Sequence, residues 1–147
     1  MANEVRLAAM NLLARREHSQ QELQRKLVNK GFDSDEIKTD LTRLAAEGLL
    51  SDERFTEAFI NSRLRLGSGP VKIAMELQQR GVAESLVKDY LDERDPKWSQ
   101  RAMEVREKKF GQSRPDDFKE RARQMRFLQY RGFTMQQIQC AVGEDPD

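Results

Sequence analysis

Lys30-Gly31-Phe32 returns as Arg80-Gly81-Val82 and again as Arg131-Gly132-Phe133, with the glycines 50 and 51 residues apart. Four residues before each glycine stand Leu27, Leu77 and Leu128; six after it stand Ile37, Val87 and Ile138; ten after it stand Leu41, Leu91 and Val142. A glycine just beyond a helix supplies left-handed backbone, the apolar residue after it packs back, and a basic residue before it suits the negative end of the helix dipole. Beyond the turn, apolar residues four apart fall on one helical face. Each step therefore reads as helix, turn, helix, and the chain reads as a repeat.

Helix starts are marked on either side of these steps. Ser19-Gln20-Gln21-Glu22, Asp33-Ser34-Asp35-Glu36 and Thr134-Met135-Gln136-Gln137 fit a capping box, and Gly69-Pro70 and Asp95-Pro96 put proline at a first helical position. With the segment that precedes each pair, the pattern predicts helices over 3–16, 20–30, 34–47, 52–66, 70–80, 84–93, 97–110, 116–131 and 135–142. No stretch alternates with the period of a strand. The expected fold is all-α, three tandem three-helix repeats over residues 1–51, 52–96 and 97–147. Repeats of this size bury too little surface to stand alone, which predicts stacking into an elongated, curved array. The third repeat diverges, with Arg114-Pro115-Asp116-Asp117 ahead of a longer second helix.

Composition bounds the function. Charged residues are 35% of the 147 and the hydrophobic set 37%, lean enough to raise disorder. The charges are mixed in sign and interleaved with regularly spaced Leu, Ile, Val and Phe, which predicts amphipathic helices over slim cores instead. The net charge of +1 excludes a molecule that is a polycation as a whole. Residues 1–13 lack a basic leader and a small-residue cleavage site and predict the start of a helix. No apolar run approaches the ~20 residues of a membrane span. The single cysteine forms no internal disulfide. A soluble, cytoplasmic, monomeric protein without cofactor is expected.

Chemistry-bearing residues are sparse. His18, beside the cap residue Ser19, predicts a surface histidine in a turn, and Cys140, between Ile138 and Val142, a small buried thiol. Neither has a companion for metal or general-base chemistry. Gly67-Ser68-Gly69-Pro70 follows a helix and lacks the spacing of a phosphate loop, so it reads as an interhelical turn. Asp89, Asp92, Glu93 and Asp95 lack the alternation and central glycine of a calcium loop and read as a solvated helix end. Trp98, Phe110, Phe55 and Phe59 read as core. Nothing suggests an enzyme.

The asymmetry is in charge. Residues 97–147 carry 11 basic and 8 acidic side chains, against 8 and 8 in 1–51 and 7 and 9 in 52–96. The basic members Arg101, Arg106, Lys108, Lys109, Arg114, Lys119, Arg121, Arg123, Arg126 and Arg131 predict a local positive surface, with Lys119, Arg123 and Arg126 in one stripe, fit for phosphate or an acidic protein face.

Asp52-Glu53-Arg54-Phe55, Phe59, Arg63, Gly67, Gly69-Pro70, Lys72-Ile73, Glu76-Leu77 and Gly81 closely resemble the signature of the RecX family, regulators of the RecA recombinase. Ser19-Gln20-Gln21-Glu22-Leu23, Lys26-Leu27 and Gly48-Leu49-Leu50 agree in the first repeat, as do Phe127-Leu128 and Tyr130 to Phe133 in the third. The resemblance covers nearly the whole chain, although the longer N-terminal extension of some members is not matched. It implies a non-enzymatic modulator that binds in the groove of the RecA filament on single-stranded DNA. Recombinase, ATPase and coprotease activities would be restrained, and with them DNA repair and the SOS response regulated. Arg63, Arg65, Lys72 and the basic residues of the third repeat are the candidate contacts. The competing expectation, a DNA-binding module using the basic third repeat, is disfavoured by the acids on the third helices of the first two repeats, among them Asp35, Glu36, Asp40, Glu84 and Asp89.

Overall fold

The computed structural model of the chain describes residues 3–144. Among these the backbone forms helices and no strand: α1 (Glu4–Arg15), α2 (Gln20–Asn29), α3 (Ser34–Ala46), α4 (Asp52–Arg65), α5 (Pro70–Gln79), α6 (Glu84–Tyr90), α7 (Lys97–Phe110), α8 (Phe118–Arg131) and α9 (Met135–Val142). Ser19 and Thr134 close reciprocal capping boxes with Glu22 and Gln137. Asp33 caps α3 by accepting from the Asp35 and Glu36 amides. Pro70 opens α5 as expected, whereas Pro96 stands one position earlier, as the N-cap of α7, and Asp95 accepts from the Lys97 amide instead.

The glycine steps behave alike. Gly31, Gly81 and Gly132 are all left-handed, at φ 95°, 79° and 97°. In each step the residue after the glycine donates its amide to the carbonyl five residues back: Phe32 to Leu27, Val82 to Leu77 and Phe133 to Leu128, at 3.3, 3.1 and 3.2 Å. This closes the last turn of the helix on its own orphan carbonyls. All nine repeat-matched apolar positions, from Leu27 to Val142, are buried.

Two helix ends differ from expectation by more than one residue. α6 stops at Tyr90 and not at residue 93, because Asp92 turns its side chain to the Arg94 amide (2.9 Å) and draws the chain out of the helix. α8 begins at Phe118, two residues late, since Asp117 serves as cap and accepts from the Glu120 amide at 2.7 Å.

By compactness the chain divides into two units, and the division runs through the second repeat. One unit reaches to Phe59 and includes Leu77–Tyr90; the other comprises Ile60–Glu76 and the described residues from Leu91 onward. In the first unit Val5, Ala9, Leu23, Leu27, Ile37, Leu41, Leu44 and Leu50 form one core, with Leu12, Leu13 and Phe32 packed against it. In the second, α9 packs on α7 and α8 and buries Ile138, Ala141 and Val142.

Within each unit the start of one repeat's second helix sits on the basic-Gly step of the following repeat. Ser19 Oγ donates to the Arg80 carbonyl at 2.6 Å, and Arg25 reaches the Gln79 carbonyl at 3.2 Å. In the second unit the contact is backbone to backbone: the Gly69 amide donates to the Arg131 carbonyl at 2.7 Å and the Val71 amide to the Gly132 carbonyl at 2.9 Å. In the second unit unsatisfied amide donors at a helix start thus meet unsatisfied acceptors at a helix end, with complementary dipoles, and in the first unit side chains of α2 and its cap supply the donors. This gives Gly69 a reason beyond turn chemistry, because a Cβ there would stand 2.5 Å from the Gly132 oxygen and the Phe133 nitrogen.

Two expectations are overturned. Cys140 is exposed, because α9 turns Ile138, Ala141 and Val142 inward and leaves position 140 on the other side of so short a helix. His18 is buried, not a surface residue: Nδ1 lies 3.0 Å from the Arg16 carbonyl and Nε2 2.9 Å from Lys26 Nζ. That pairing requires a neutral ring donating from Nδ1 and accepting at Nε2. Burial pushes its pKa below the ordinary value against the hydrogen bond to the Arg16 carbonyl, which raises it, and the charges of Arg16 and Lys26 act in the same direction as burial. The unfolded chain therefore binds the proton more readily, so this contribution is complete above about pH 6.5 and is lost as pH falls through the folded pKa. Glu22 titrates in a different window. Burial raises its pKa, but the Arg16 guanidinium outweighs burial and holds the carboxyl below its usual range. Thermal melts between pH 7.5 and 5 should show stability falling with pH, and His18→Gln should flatten that slope; an unchanged slope would remove His18 as its source.

Candidate functional site

The candidate cations do not form one surface. Arg106 lies inside, 2% exposed, and donates to the Ser113 and Gln112 carbonyls and to Gln124 Oε1. It holds the loop between α7 and α8 and is not available as a contact. Arg63, half-buried, pairs with Glu76 at 3.3 Å and ties α4 to α5. Arg121 donates to the Gly143 carbonyl at 3.0 Å and closes the end of α9. Lys72 sets its ammonium 5.1 Å from the Tyr130 ring centre.

Of the expected stripe on α8, Lys119, Arg123 and Arg126 are all exposed. Arg123 is engaged with Glu120 at 2.8 Å and covers the Phe110 ring at 4.8 Å. That guanidinium, with help from Gln124, holds the Glu120 carboxyl down at about 2, so the pair stays ionic at any ordinary pH. The stripe is weaker in net charge than its spacing suggests. Arg101 is half-buried and Arg114 exposed, the latter beside Gly143.

Four candidates do converge. Arg65 at the end of α4, Lys108 and Lys109 on α7, and Arg131 at the end of α8 line a cleft of about 420 Å³, with Glu104 as the one acid in its lining. Its apolar surface comes from Leu64, Leu66, Val105 and Phe127. Arg131 is positioned from two sides: Nη1 donates to the Leu66 carbonyl at 2.6 Å, and the guanidinium lies 4.9 Å from the Phe127 ring centre. The first bond satisfies a carbonyl just past α4, and the second spreads charge over a π face. Lys109 approaches the same ring at 5.8 Å.

The sequence named the four cations but neither their grouping nor the apolar lining. Residues 104, 105, 108 and 109 share a face by helical spacing, as do 127 and 131. What was not readable is that the turn after α4 closes over them. By contrast, the first unit has a groove of about 620 Å³ whose lining includes Glu4, Asp35, Glu36 and Asp40, where Asn3 donates to Asp40 at 2.7 Å. The described residues contain no group of His, Cys, Asp and Glu that could hold a metal ion, and no helix long and apolar enough to cross a membrane.

Comparison with known proteins bears on this geometry. Models of the first, second and third three-helix domains of RecX match residues 6–44, 51–91 and 99–142. A protein of Halorhodospira halophila called regulatory protein RecX is 47% identical over 94% of this chain and 86% of its own length. One of Pseudomonas putida KT2440 with the same name is 48% identical over 97% of this chain and 92% of its own. The crystal structure of RecX from Lactobacillus salivarius superposes with a TM-score of 0.76, covering 95% of this chain and 92% of that one. A second crystal structure, of a regulatory protein RecX, gives 0.77 over 96% of this chain and 73% of that one. At 18% and 17% identity these two speak to the fold alone.

Proposed function

Starting from a chain that belongs to the RecX family of regulatory proteins, we propose that it acts by binding the RecA filament on single-stranded DNA and restraining its recombinase, ATPase and coprotease activities. In that role it regulates DNA repair and the SOS response from the cytoplasm, as a monomer that occupies another protein's surface without catalysis. The observation that carries the reading, beside family membership, is the cleft that gathers Arg65, Lys108, Lys109 and Arg131 in a chain whose net charge is only +1. Concentrated charge on a near-neutral molecule favours a specific electronegative partner over general attraction to polyanions.

The test is a titration of the purified protein into RecA with single-stranded DNA and ATP, following ATP hydrolysis. Hydrolysis should fall at amounts well below one protein per RecA. Unchanged hydrolysis across the range would sink the reading, and tight, strongly salt-dependent duplex binding without RecA would favour the DNA-binding module. Lys108→Glu with Lys109→Glu should raise the concentration needed for half inhibition by about tenfold or more, with helicity by circular dichroism retained because both residues are exposed. Arg123→Glu with Arg126→Glu should weaken inhibition less, since Arg123 is already engaged with Glu120.

A further inference from the structure

The cleft between α4, α7 and α8 combines two chemistries, and together they discriminate among partners. Its cations would attract phosphate or carboxylate equally well. Its apolar part would not serve both. Nucleic-acid strands are held by phosphate contacts together with bases stacked on open aromatic faces. The one ring here, Phe127, is already taken: Arg131 lies 4.9 Å and Lys109 5.8 Å from its centre, and Phe110 meets it at 5.3 Å and 88° in an edge contact. What remains open is aliphatic. Leu66 is 60% exposed, and Val105 is half-buried beside it in the lining.

A strand of DNA would use the charges and leave the aliphatic surface wet. A protein segment that carries carboxylates around an apolar side chain would use both. We propose that this cleft docks an acidic segment of a partner protein, its carboxylates on Arg65, Lys108 and Lys109 and an apolar side chain against Leu66 and Val105. The inference rests on the reading of the cleft as the partner-binding surface, and it adds the chemistry of what enters. Arg131 contributes by being fixed beforehand. Its bond to the Leu66 carbonyl and its place over Phe127 hold the turn and the ring in position, so less order is lost on binding.

The experiment measures fluorescence anisotropy of the whole protein with three probes: an eight-residue peptide of Asp and Glu with Leu-Phe at its centre, the same peptide with Ser-Ser there, and a fifteen-nucleotide oligothymidylate. The first peptide should bind, and the Ser-Ser version should bind about tenfold more weakly. Lys108→Glu with Lys109→Glu should cost a further factor of about ten. Leu66→Ser, at an exposed position that leaves the core intact, should weaken the Leu-Phe peptide several-fold and leave oligothymidylate unaffected. Equal binding of the two peptides, oligothymidylate that binds as tightly and displaces the peptide, or no peptide binding up to millimolar concentration would each overturn the proposal. The filament titration separates this from the reading beneath it. If the wild-type protein inhibits hydrolysis while the peptides fail, only the acidic segment is wrong; if hydrolysis is unaffected, the regulator reading itself has failed.

Discussion

Gly132→Ala is expected to cost about 4 kcal/mol of folding stability, while Gly31→Ala, at the equivalent step of the first repeat, should cost about 1–2 kcal/mol. Both glycines are left-handed, at φ 97° and 95°, so the conformational penalty of a side chain is shared. Their surroundings differ. A Cβ on Gly31 meets nothing within 4 Å, whereas one on Gly132 runs into the Lys72 side chain and stands 2.7 Å from the Lys72 backbone nitrogen. Backbone cannot step aside as a flexible side chain can. Relief would require separating the turn from α5 and giving up the bonds from Gly69 and Val71. Thermal melts of the two variants give the comparison directly. A drop of about 10 °C for Gly132→Ala is expected on the usual scale for a chain of this length, with a shift less than half as large for Gly31→Ala. Equal shifts would mean that the close approach contributes nothing.

That contrast marks how far the sequence could be read. Three basic-Gly-apolar steps specify three left-handed turns, and the residues spaced around them specify which positions go inside, because both follow from local backbone geometry and helical period. Whether a given turn is open or pressed against another helix is a tertiary fact. Nothing near Gly31 or Gly132 announces it, yet it divides two equivalent glycines. Compactness is of the same kind: the repeat period marks three three-helix units and says nothing of how they cluster, and the chain clusters as two units that share the second repeat. His18 misleads for a related reason. A polar residue beside a cap reads as exposed unless its two ring nitrogens are known to have partners, and here the Arg16 carbonyl comes from the same turn and Lys26 from α2.

The candidate site was legible in its charges and not in its assembly. Counting Lys and Arg located the basic repeat, but a count weighs Arg106 inside the fold, Arg123 against Glu120 and Lys108 at the cleft equally. Spacing alone favoured the stripe on α8, because period 3.6 reports which residues share a face and says nothing about which acids stand beside them. Glu120, three residues before Arg123, was the available signal.

Arg106 is where that distinction has its second large consequence. The residue is 2% exposed and, among the described residues, meets no carboxylate directly. A carboxylate is met only at one remove and is shared with Arg123: Gln124, itself buried, accepts from Arg106 Nη1 at 3.3 Å and donates to Glu120 at 3.1 Å. Nε has no hydrogen-bond partner among the described residues, and for that reason the arrangement cannot be a gain on charge alone. Its effect lies in holding the loop, since the same side chain bonds the carbonyls of Gln112 and Ser113 between α7 and α8. Arg106→Ala should cost about 3 kcal/mol, from the emptied side-chain volume and from the Gln124 oxygen left buried without its donor. Arg106→Met, which keeps most of the apolar stem, should recover part of that loss and not all of it. Hydrogen exchange should quicken first across residues 111–117 and the start of α8. At a temperature where both variants remain folded, the inhibition of the RecA ATPase that the proposed function expects should be, per molecule, close to that of the unaltered chain, because Arg106 is buried and holds the framework. A variant that is as stable as the parent but no longer inhibits would return Arg106 to the contact surface and contradict its burial.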